Sequence, residues 1–276
     1  MIGRARPEQD DAEDQDRHMT RRLKKRVALV TGGSRGVGRG IAARLASEGA
    51  AVALTYHRNA DAAVDAVADI ESAGGAARSY PCAMTDSESI ALLVDSVRGD
   101  MGQVDLFVSN AGHASRGRAV IDTEAAEYLE LLQVHVLGPL ELLRLVLPDL
   151  RQADRADIIV VSSVLTGQHA PNTAPYTIAK SGMEAAARVL AKEERQYGVR
   201  VNIVAPGLVA TDMGERLVTA AHGSSISEVG SAFPFGRVAY PADIASAVAY
   251  LASAEGEYIT GQRIEIDGGG QPNLFG

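Results

Sequence analysis

A hydroxyl, a phenol and an amine fall within one short stretch of this 276-residue chain, SVLTGQHAPNTAPYTIAK, which begins at Ser163, contains Tyr176 and ends at Lys180. No Asp, Glu, Lys or Arg separates the three groups. In a helix a residue and its fourth successor lie on one face, so Tyr176 and Lys180 can approach the same bound molecule. The chemistry that suits them is proton donation by a phenol with a cation as its tuner. A free phenol titrates near ~10, and each unit of depression corresponds to about 1.4 kcal/mol of phenolate stabilisation, which a nearby ammonium can supply. The expectation is a Tyr176 that exchanges its proton near neutral pH. A tyrosine and a lysine four apart are also an ordinary amphipathic pair, so the elements that position them must decide.

Those elements alternate between strand and helix. Residues 27–30 form a short apolar run, followed by Thr31-Gly32-Gly33-Ser34-Arg35-Gly36-Val37-Gly38 and then helical spacing to Gly49. Glycines at 32, 36 and 38 permit a tight turn, close approach of backbone to a phosphate, and close packing of helix on strand. The helix N-terminus presents free amides to the anion. Further strands are expected at 51–55, 77–81, 104–109, 157–162, 199–204 and 262–266, and helices at 61–73, 87–101, 123–150, 175–197 and 242–252. This alternation defines the fold class: α/β, a Rossmann-type doubly wound parallel sheet of about seven strands with helices on both faces, in a single domain. The C-terminal strand ends then gather positions 31 to 38, 82 to 86, 110 to 112, 163, 176 and 206 to 211 at one cleft.

The second strand ends in Tyr56-His57-Arg58-Asn59, with none of the acids that would bind a ribose 2′-hydroxyl. Arg35 and Arg58 can instead meet a 2′-phosphate, which favours NADP (NADPH) over NAD, although either arginine could simply face solvent. The helix over 123–150 is the most apolar, but Glu130, Glu141 and Arg144 interrupt it, so it reads as a buried or interface helix and not a membrane span. Within it Pro139 has no N–H, which leaves the carbonyl of His135 without its usual helical donor. Residues 212–234, rich in Gly, Ser and Ala, read as a lid with short helices.

Composition narrows the partners. Twenty-seven basic against thirty-five acidic side chains give a net charge of −8, which argues against nucleic-acid and anionic-membrane surfaces and for a small-molecule partner. Cys82 is the only cysteine, so an intrachain disulfide and a cysteine-based metal site are excluded, and no metal is expected. Cytoplasmic residence is the expectation. Residues 1–24 are expected to form a disordered polar tail ahead of a catalytic domain over 25–276. Met19 is a candidate alternative start, and the basic run Arg21, Arg22, Lys24, Lys25 and Arg26 reads as solvated lead-in.

Five motifs in order, TGGSRGVG, NAG, Ser163 with a tyrosine thirteen residues later, YTIAK and APGLVATDM, resemble the short-chain dehydrogenase/reductase family across residues 25 to 270. The likeness is greatest to its 3-oxoacyl-thioester reductase branch. The resemblance implies that Tyr176 protonates a carbonyl oxygen as hydride arrives, that Lys180 lowers its pKa and binds the nicotinamide ribose, and that Ser163 positions the carbonyl. It implies cofactor contacts at Gly32, Ser34, Arg35, Gly36, Val37, Gly38, Arg58, Met84, Asn110, Ala111, Gly112, Pro206, Gly207, Val209 and Thr211, with Tyr176 and Lys180 also touching the cofactor. A carbonyl substrate, carried as an acyl thioester, and a homotetramer paired through helices 123–150 and 175–197 follow from the same likeness.

Three positions depart from the family's pattern. His135 stands where the family commonly has an asparagine, the fourth catalytic residue, whose main-chain carbonyl anchors a water linked to Lys180. Pro139 keeps that carbonyl available, so the expected relay runs through backbone and water with the imidazole tolerated or participating. Ala83 removes an adenine contact and leaves backbone from Met84. Asp154 and Tyr197 replace basic residues of carrier-protein reductases, for which Arg151, Arg155 and Arg195 could substitute. Two alternatives stay open at this point: an NAD-linked alcohol or hydroxysteroid dehydrogenase, and a catalytically silent nucleotide-binding relative.

Overall fold

A computed structural model describes residues 22–270. Seven parallel strands form one sheet in the order β3-β2-β1-β4-β5-β6-β7: β1 Val27–Val30, β2 Ala51–Tyr56, β3 Ala76–Pro81, β4 Leu106–Ser109, β5 Ala156–Val161, β6 Val199–Pro206 and β7 Arg263–Ile266. The order reverses between β1 and β4, which pair in parallel with Val30 opposite Val108. That reversal opens a crevice at the C-terminal strand ends.

Period-two alternation divides the strands' side chains between two cores. Val30, Leu54, Val108, Ile159 and Val204 point to one face, where α1 (Gly36–Ser47), α2 (Ala60–Ser72) and α8 (Pro241–Ala252) cover them. Leu29, Ala53, Phe107, Ile158, Val160 and Ile203 point to the other, under α3 (Ser87–Met101), α5 (Gly138–Leu150) and α6 (Ala174–Glu194). Both faces are dry, so the central strands read as continuous apolar runs. Between α4 (Ala125–Leu132) and α5 the chain makes one π turn, Gln133–Leu137, in which the Gly138 N–H reaches back five residues to the Gln133 carbonyl. Together Ala125–Leu150 is long and apolar enough by composition to cross a membrane. The fold uses it as a covering layer, with Leu131, Leu142, Leu143, Val146 and Leu150 buried.

The tail boundary expected at residue 24 is corrected. Leu23 is 1% exposed, its N–H bonds the Glu48 carbonyl, and Arg22 pairs with both Glu48 and Glu255. Nor is the basic run simply solvated: Arg26 is buried against Asp105 and Asp157. Among the described residues of the run, Lys24 and Lys25 are the exposed ones. Residues 1–21, including Met19, Thr20 and Arg21, and residues 271–276 lie outside the described residues. The segment expected as a lid consists of α7 (Asp212–His222) and a one-turn helix, Ile226–Gly230, opened by a Ser225–Glu228 capping box. The Glu215 carboxylate ties the two together by accepting the Ile226 N–H at 3.2 Å.

Candidate active site

The glycine turn after β1 is held from both neighbouring strands. Gly32 has φ +64° and donates its N–H to the Thr55 hydroxyl of β2 at 3.0 Å. Gly38 sits so close beneath the turn that a Cβ there would lie 2.2 Å from the Gly32 carbonyl oxygen. No side chain fits, which is the packing reason for that glycine. From β4 the Asn110 amide donates to the Thr31 carbonyl at 2.9 Å and the Gly32 carbonyl at 3.2 Å. Asn110 therefore acts by fastening the turn. Ala111 is fixed alongside, its N–H on the Thr31 hydroxyl at 3.0 Å.

The cradle fits a dinucleotide. The N-terminus of α1 opens directly from this turn, with Ser34 buried below it and Arg35 exposed at the cap, an arrangement that favours anions. Across the cleft, Gly36 faces the Thr211 methyl, 3.4 Å from where its Cβ would be, so the first and sixth βα connections converge. Arg58 is exposed just past the end of β2, and among the described residues neither Arg35 nor Arg58 has an ion-pair partner. Two uncommitted guanidiniums flank the ribose end of such a site. Val37 is partly exposed on the same turn of α1.

The remaining sequence-expected contacts serve mainly as framework. Met84 is buried and its carbonyl packs on Gly138, where a Cβ would come within 2.0 Å. Pro206 ends β6 and accepts the Val164 N–H, Gly207 packs against Asp267, and Val209 pairs with Ala239 in an isolated parallel bridge. The Thr211 hydroxyl caps α7 by accepting the Gly214 N–H at 3.1 Å.

Ser163, Tyr176 and Lys180 do come together. Ser163 lies two residues past the end of β5 and is 8% exposed, while Tyr176 and Lys180 occupy the first two turns of α6, where Pro175 is suited to the initial turn. The Lys180 ammonium lies 5.7 Å from the Tyr176 ring centre and donates to the Val161 carbonyl at 2.7 Å. Burial raises the Tyr176 phenol to about 12, with the Ser163 hydroxyl working in the opposite direction. Burial likewise lowers Lys180 to about 8, opposed by the charge of Glu184. This reverses the sign expected for the phenol. Removal from water dominates over the cation, whose ammonium is already engaged by a backbone carbonyl.

His135 lies on the π turn, 3% exposed, with its ring edge-on to Tyr176 at a centroid distance of 5.4 Å. Its Nε2 is 2.9 Å from the His113 carbonyl, an acceptor only, so Nε2 carries the hydrogen and Nδ1 is a bare lone pair. That Nδ1 is buried without a partner. Burial, reinforced by the Lys180 charge and opposed by the His113 hydrogen bond, lowers the imidazole to about 3, so it is neutral at pH 7. Gly112 makes room for it: a Cβ at 112 would lie 2.0 Å from His135 Cε1. His113 itself stays near the surface, facing Glu130 at 3.3 Å.

Sequence reasoning missed the charged pair behind this site. Glu184, 3% exposed on α6, and Arg263 on β7 meet at 2.9 Å beneath the turn that carries Ser163. The available signal was a carboxylate four residues after Lys180 on an otherwise apolar face.

A doubly wound parallel sheet, a glycine turn at the strand-order reversal, and a serine, tyrosine and lysine at the same end of the sheet define a dinucleotide-binding oxidoreductase. Comparison with known proteins agrees. A family model described as Enoyl-(Acyl carrier protein) reductase matches residues 32–271. The chain is 34% identical over 247 residues to the 3-oxoacyl-(acyl-carrier-protein) reductase FabG of Haemophilus influenzae, covering 90% of this chain and 98% of that one. The FabG of Escherichia coli is 33% identical, with 88% and 96% covered. A dehydrogenase/reductase from Sinorhizobium meliloti superposes with a TM-score of 0.84 at 34% identity, covering 94% of this chain and 99% of that chain. A Serratia marcescens short-chain dehydrogenase/reductase gives 0.81 at 30% identity, with 90% and 98% covered. The chain belongs to the short-chain dehydrogenase/reductase family, and it is an oxidoreductase that works with a nicotinamide cofactor.

Proposed function

We propose that the protein is an NADPH-dependent ketoreductase that reduces the ketone of a 3-oxoacyl thioester, or a closely related ketone, to the secondary alcohol. The observation that carries the reading is the juxtaposition of Ser163, Tyr176 and Lys180 at the end of the sheet where the glycine turn opens. The two curated relatives described above are named for that substrate class. Arg35 and Arg58, exposed and unpaired, support the 2′-phosphate form of the cofactor.

When bound, the nicotinamide supplies the hydride. The protein's own part is to hold the ketone and deliver a proton. The Ser163 hydroxyl donates to the carbonyl oxygen and fixes its position. Tyr176, protonated at neutral pH because burial holds it near 12, donates its proton to the same oxygen as negative charge develops there. Lys180, still charged at pH 7, favours loss of that proton when its ammonium turns from Val161 toward the reacting groups. The neutral ring of His135 packs edge-on to the phenol and holds its plane.

The carrier-bound form of the substrate is also part of the reading, with a narrower basis. Arg151 is committed to Glu194 at 2.7 Å, and Arg155 to Asp157 and the Ala252 and Ser253 carbonyls. Arg195 is the basic side chain left exposed for an acidic carrier. We read the enzyme as cytoplasmic and homotetrameric. Leu129, Leu137, Ile178 and Val189, all about half exposed or more on α4 to α6, supply apolar faces for the copies to share, and light scattering at four chain masses checks it.

Oxidation of NADPH with a 3-oxoacyl thioester, followed at 340 nm, tests the function. Tyr176→Phe should lower kcat by about 10²- to 10⁴-fold, the usual value of a positioned general acid, while NADPH still binds. An unchanged rate would refute the role of Tyr176.

A further inference from the structure

We infer that Glu184 and Arg263 are positioning residues of this site: the pair clamps the Val161–Thr166 turn that presents Ser163 and sets the charge balance around Lys180. This deepens the ketoreductase reading and rests on it for its catalytic consequence.

The geometry is a closed network. The Glu184 Oε1 atom accepts from the Ser162 hydroxyl at 2.6 Å and from Arg263 Nε at 2.9 Å, and the Thr166 hydroxyl lies 2.7 Å away. Oε2 accepts from Arg188 at 3.0 Å. A carboxylate offers about four acceptor sites, two on each oxygen, and here Oε1 has three polar neighbours and Oε2 one. The Arg263 guanidinium also donates to the Ser163 carbonyl at 3.1 Å and to the Thr166 hydroxyl at 2.9 Å. Lys180 takes the Val161 carbonyl. Val161, Ser162, Ser163 and Thr166 are thus each bonded to a charged side chain, and the hydroxyl of Ser163 projects from a turn whose backbone has little freedom to shift.

Topology explains why Arg263 can do this. It lies on the edge strand β7, opposite Ile203 of β6, and reaches past β6 to the end of β5. The last strand of the sheet is thereby coupled to the reacting end of the fifth. Glu184 follows Lys180 by one helical turn on α6. Burial works against the Glu184 carboxylate, but hydrogen bonds from Ser162, Arg263 and Thr166 overcome it and hold its pKa below the ordinary range. It remains an anion, and that anion supports the ammonium of Lys180 against the effect of burial.

The charged and titratable groups around Lys180 are Tyr176 and Glu184 on its own helix, His135 on the π turn and, through Glu184, Arg263 of β7 and Arg188. His135 is neutral above pH ~4 and Tyr176 below pH ~11, from the values about 3 and about 12 given above. Between these limits the carboxylate and the guanidinium are what vary when substituted.

The test reads Lys180 directly. The chain contains four lysines, Lys24, Lys25, Lys180 and Lys192, and Lys180 is the buried one among them. With lysine labelled with 13C at Cε, its titration is followed by NMR on the full chain and needs no substrate. The wild-type midpoint is expected near about 8. Glu184→Gln, nearly isosteric and still able to accept hydrogen bonds, should move it down by about one unit, the lower end of the effect of a close opposite charge. Arg263→Met should move it up, because the Glu184 charge is then less neutralised. Arg263→Lys should return it toward the wild-type value. Circular dichroism verifies that each variant is folded. Midpoints that stay put, or that move the same way in Glu184→Gln and Arg263→Met, would overturn the inference, since a purely structural network predicts no opposition of sign. In turnover both variants should lose kcat by about tenfold with KM nearly unchanged. Failure of the wild type to reduce any ketone would remove the ketoreductase reading and leave the opposed titration shifts standing.

Discussion

Replacing His135 with asparagine should make the protein less sensitive to acid, because the buried imidazole resists protonation in the folded state. The imidazole titrates at about 3 in the folded protein, against an ordinary value of 6.5. A histidine whose folded pKa is lowered takes up its proton more readily when unfolded. Between pH 6.5 and 3 the unfolded chain therefore binds more protons than the native one, and stability rises with pH across that window and is lost as pH falls through it. Integrating from pH 7 to pH 4, the loss assigned to this residue is about 1.36 kcal/mol for each of roughly two and a half units, or about 3 kcal/mol. Its 3% exposure leaves solvent little room to screen the effect. Urea unfolding of wild type and His135→Asn at pH 7, 5.5 and 4, at one fixed protein concentration because subunit association contributes to apparent stability, yields two lines of unfolding free energy against pH. Any packing loss caused by the smaller side chain is the same at every pH and cancels in the slope. The wild type should lose about 3 kcal/mol more than the variant on going to pH 4. Parallel lines would refute the claim that a neutral imidazole is buried at this position with its Nε2 on the His113 carbonyl.

Gly112→Ala should destabilise the protein by about 1–3 kcal/mol, the range for overpacking, because its Cβ would lie 2.0 Å from His135 Cε1. Combining it with His135→Ala should recover part of that loss, and strictly additive thermal shifts in the double variant would rule out the clash. Replacing both Arg35 and Arg58 with alanine should weaken NADPH binding by at least tenfold, since one charge-assisted hydrogen bond is worth about 1.5–3 kcal/mol, while NADH binding stays within about twofold. An equal loss for both nucleotides would show that these arginines do not read the 2′-phosphate.

Much of the fold was legible because its signals are local. A buried parallel strand is a short apolar run closed by glycine or an asparagine turn, and six of the seven strands begin within one residue of where the pattern places them. The exception is β4, which starts at Leu106 and not Val104; just ahead of it the Asp105 N–H donates to the Val27 carbonyl at 3.1 Å and its carboxylate accepts from Arg26 at 2.7 Å, a pairing across 79 residues. The misreadings share that long-range origin. Arg26 looks like part of a solvated basic run because its partners Asp105 and Asp157 stand 79 and 131 residues away. Glu184 and Arg263 are likewise 79 residues apart and meet only because β7 adds to the sheet beside β6. Periodicity carries no information about such pairings. That Pro139 brings no N–H to this helix was readable from the sequence, since proline lacks a donor wherever it sits. The π turn that sets the imidazole against Gly112 was not, because it depends on how α4 and α5 must each pack.

The phenol shows most clearly what a spacing rule leaves out. Tyr176 and Lys180 are one turn apart, as four-residue spacing requires, and a rule based on charge alone predicts a depressed phenol pKa. Burial acts on both groups at once and pushes each toward its neutral form, the phenol up to about 12 and the ammonium down to about 8. At pH 7 the consequence is a site with both protons loaded. That state suits the proposed reduction, in which Tyr176 gives its proton to the carbonyl oxygen. The carboxylate of Glu184, held ionised by hydrogen bonds from Ser162, Arg263 and Thr166, keeps the second proton on Lys180 against desolvation, while Arg263 grips the Ser163 backbone. The serine, tyrosine and lysine are thus held by buried charges that their own spacing does not reveal.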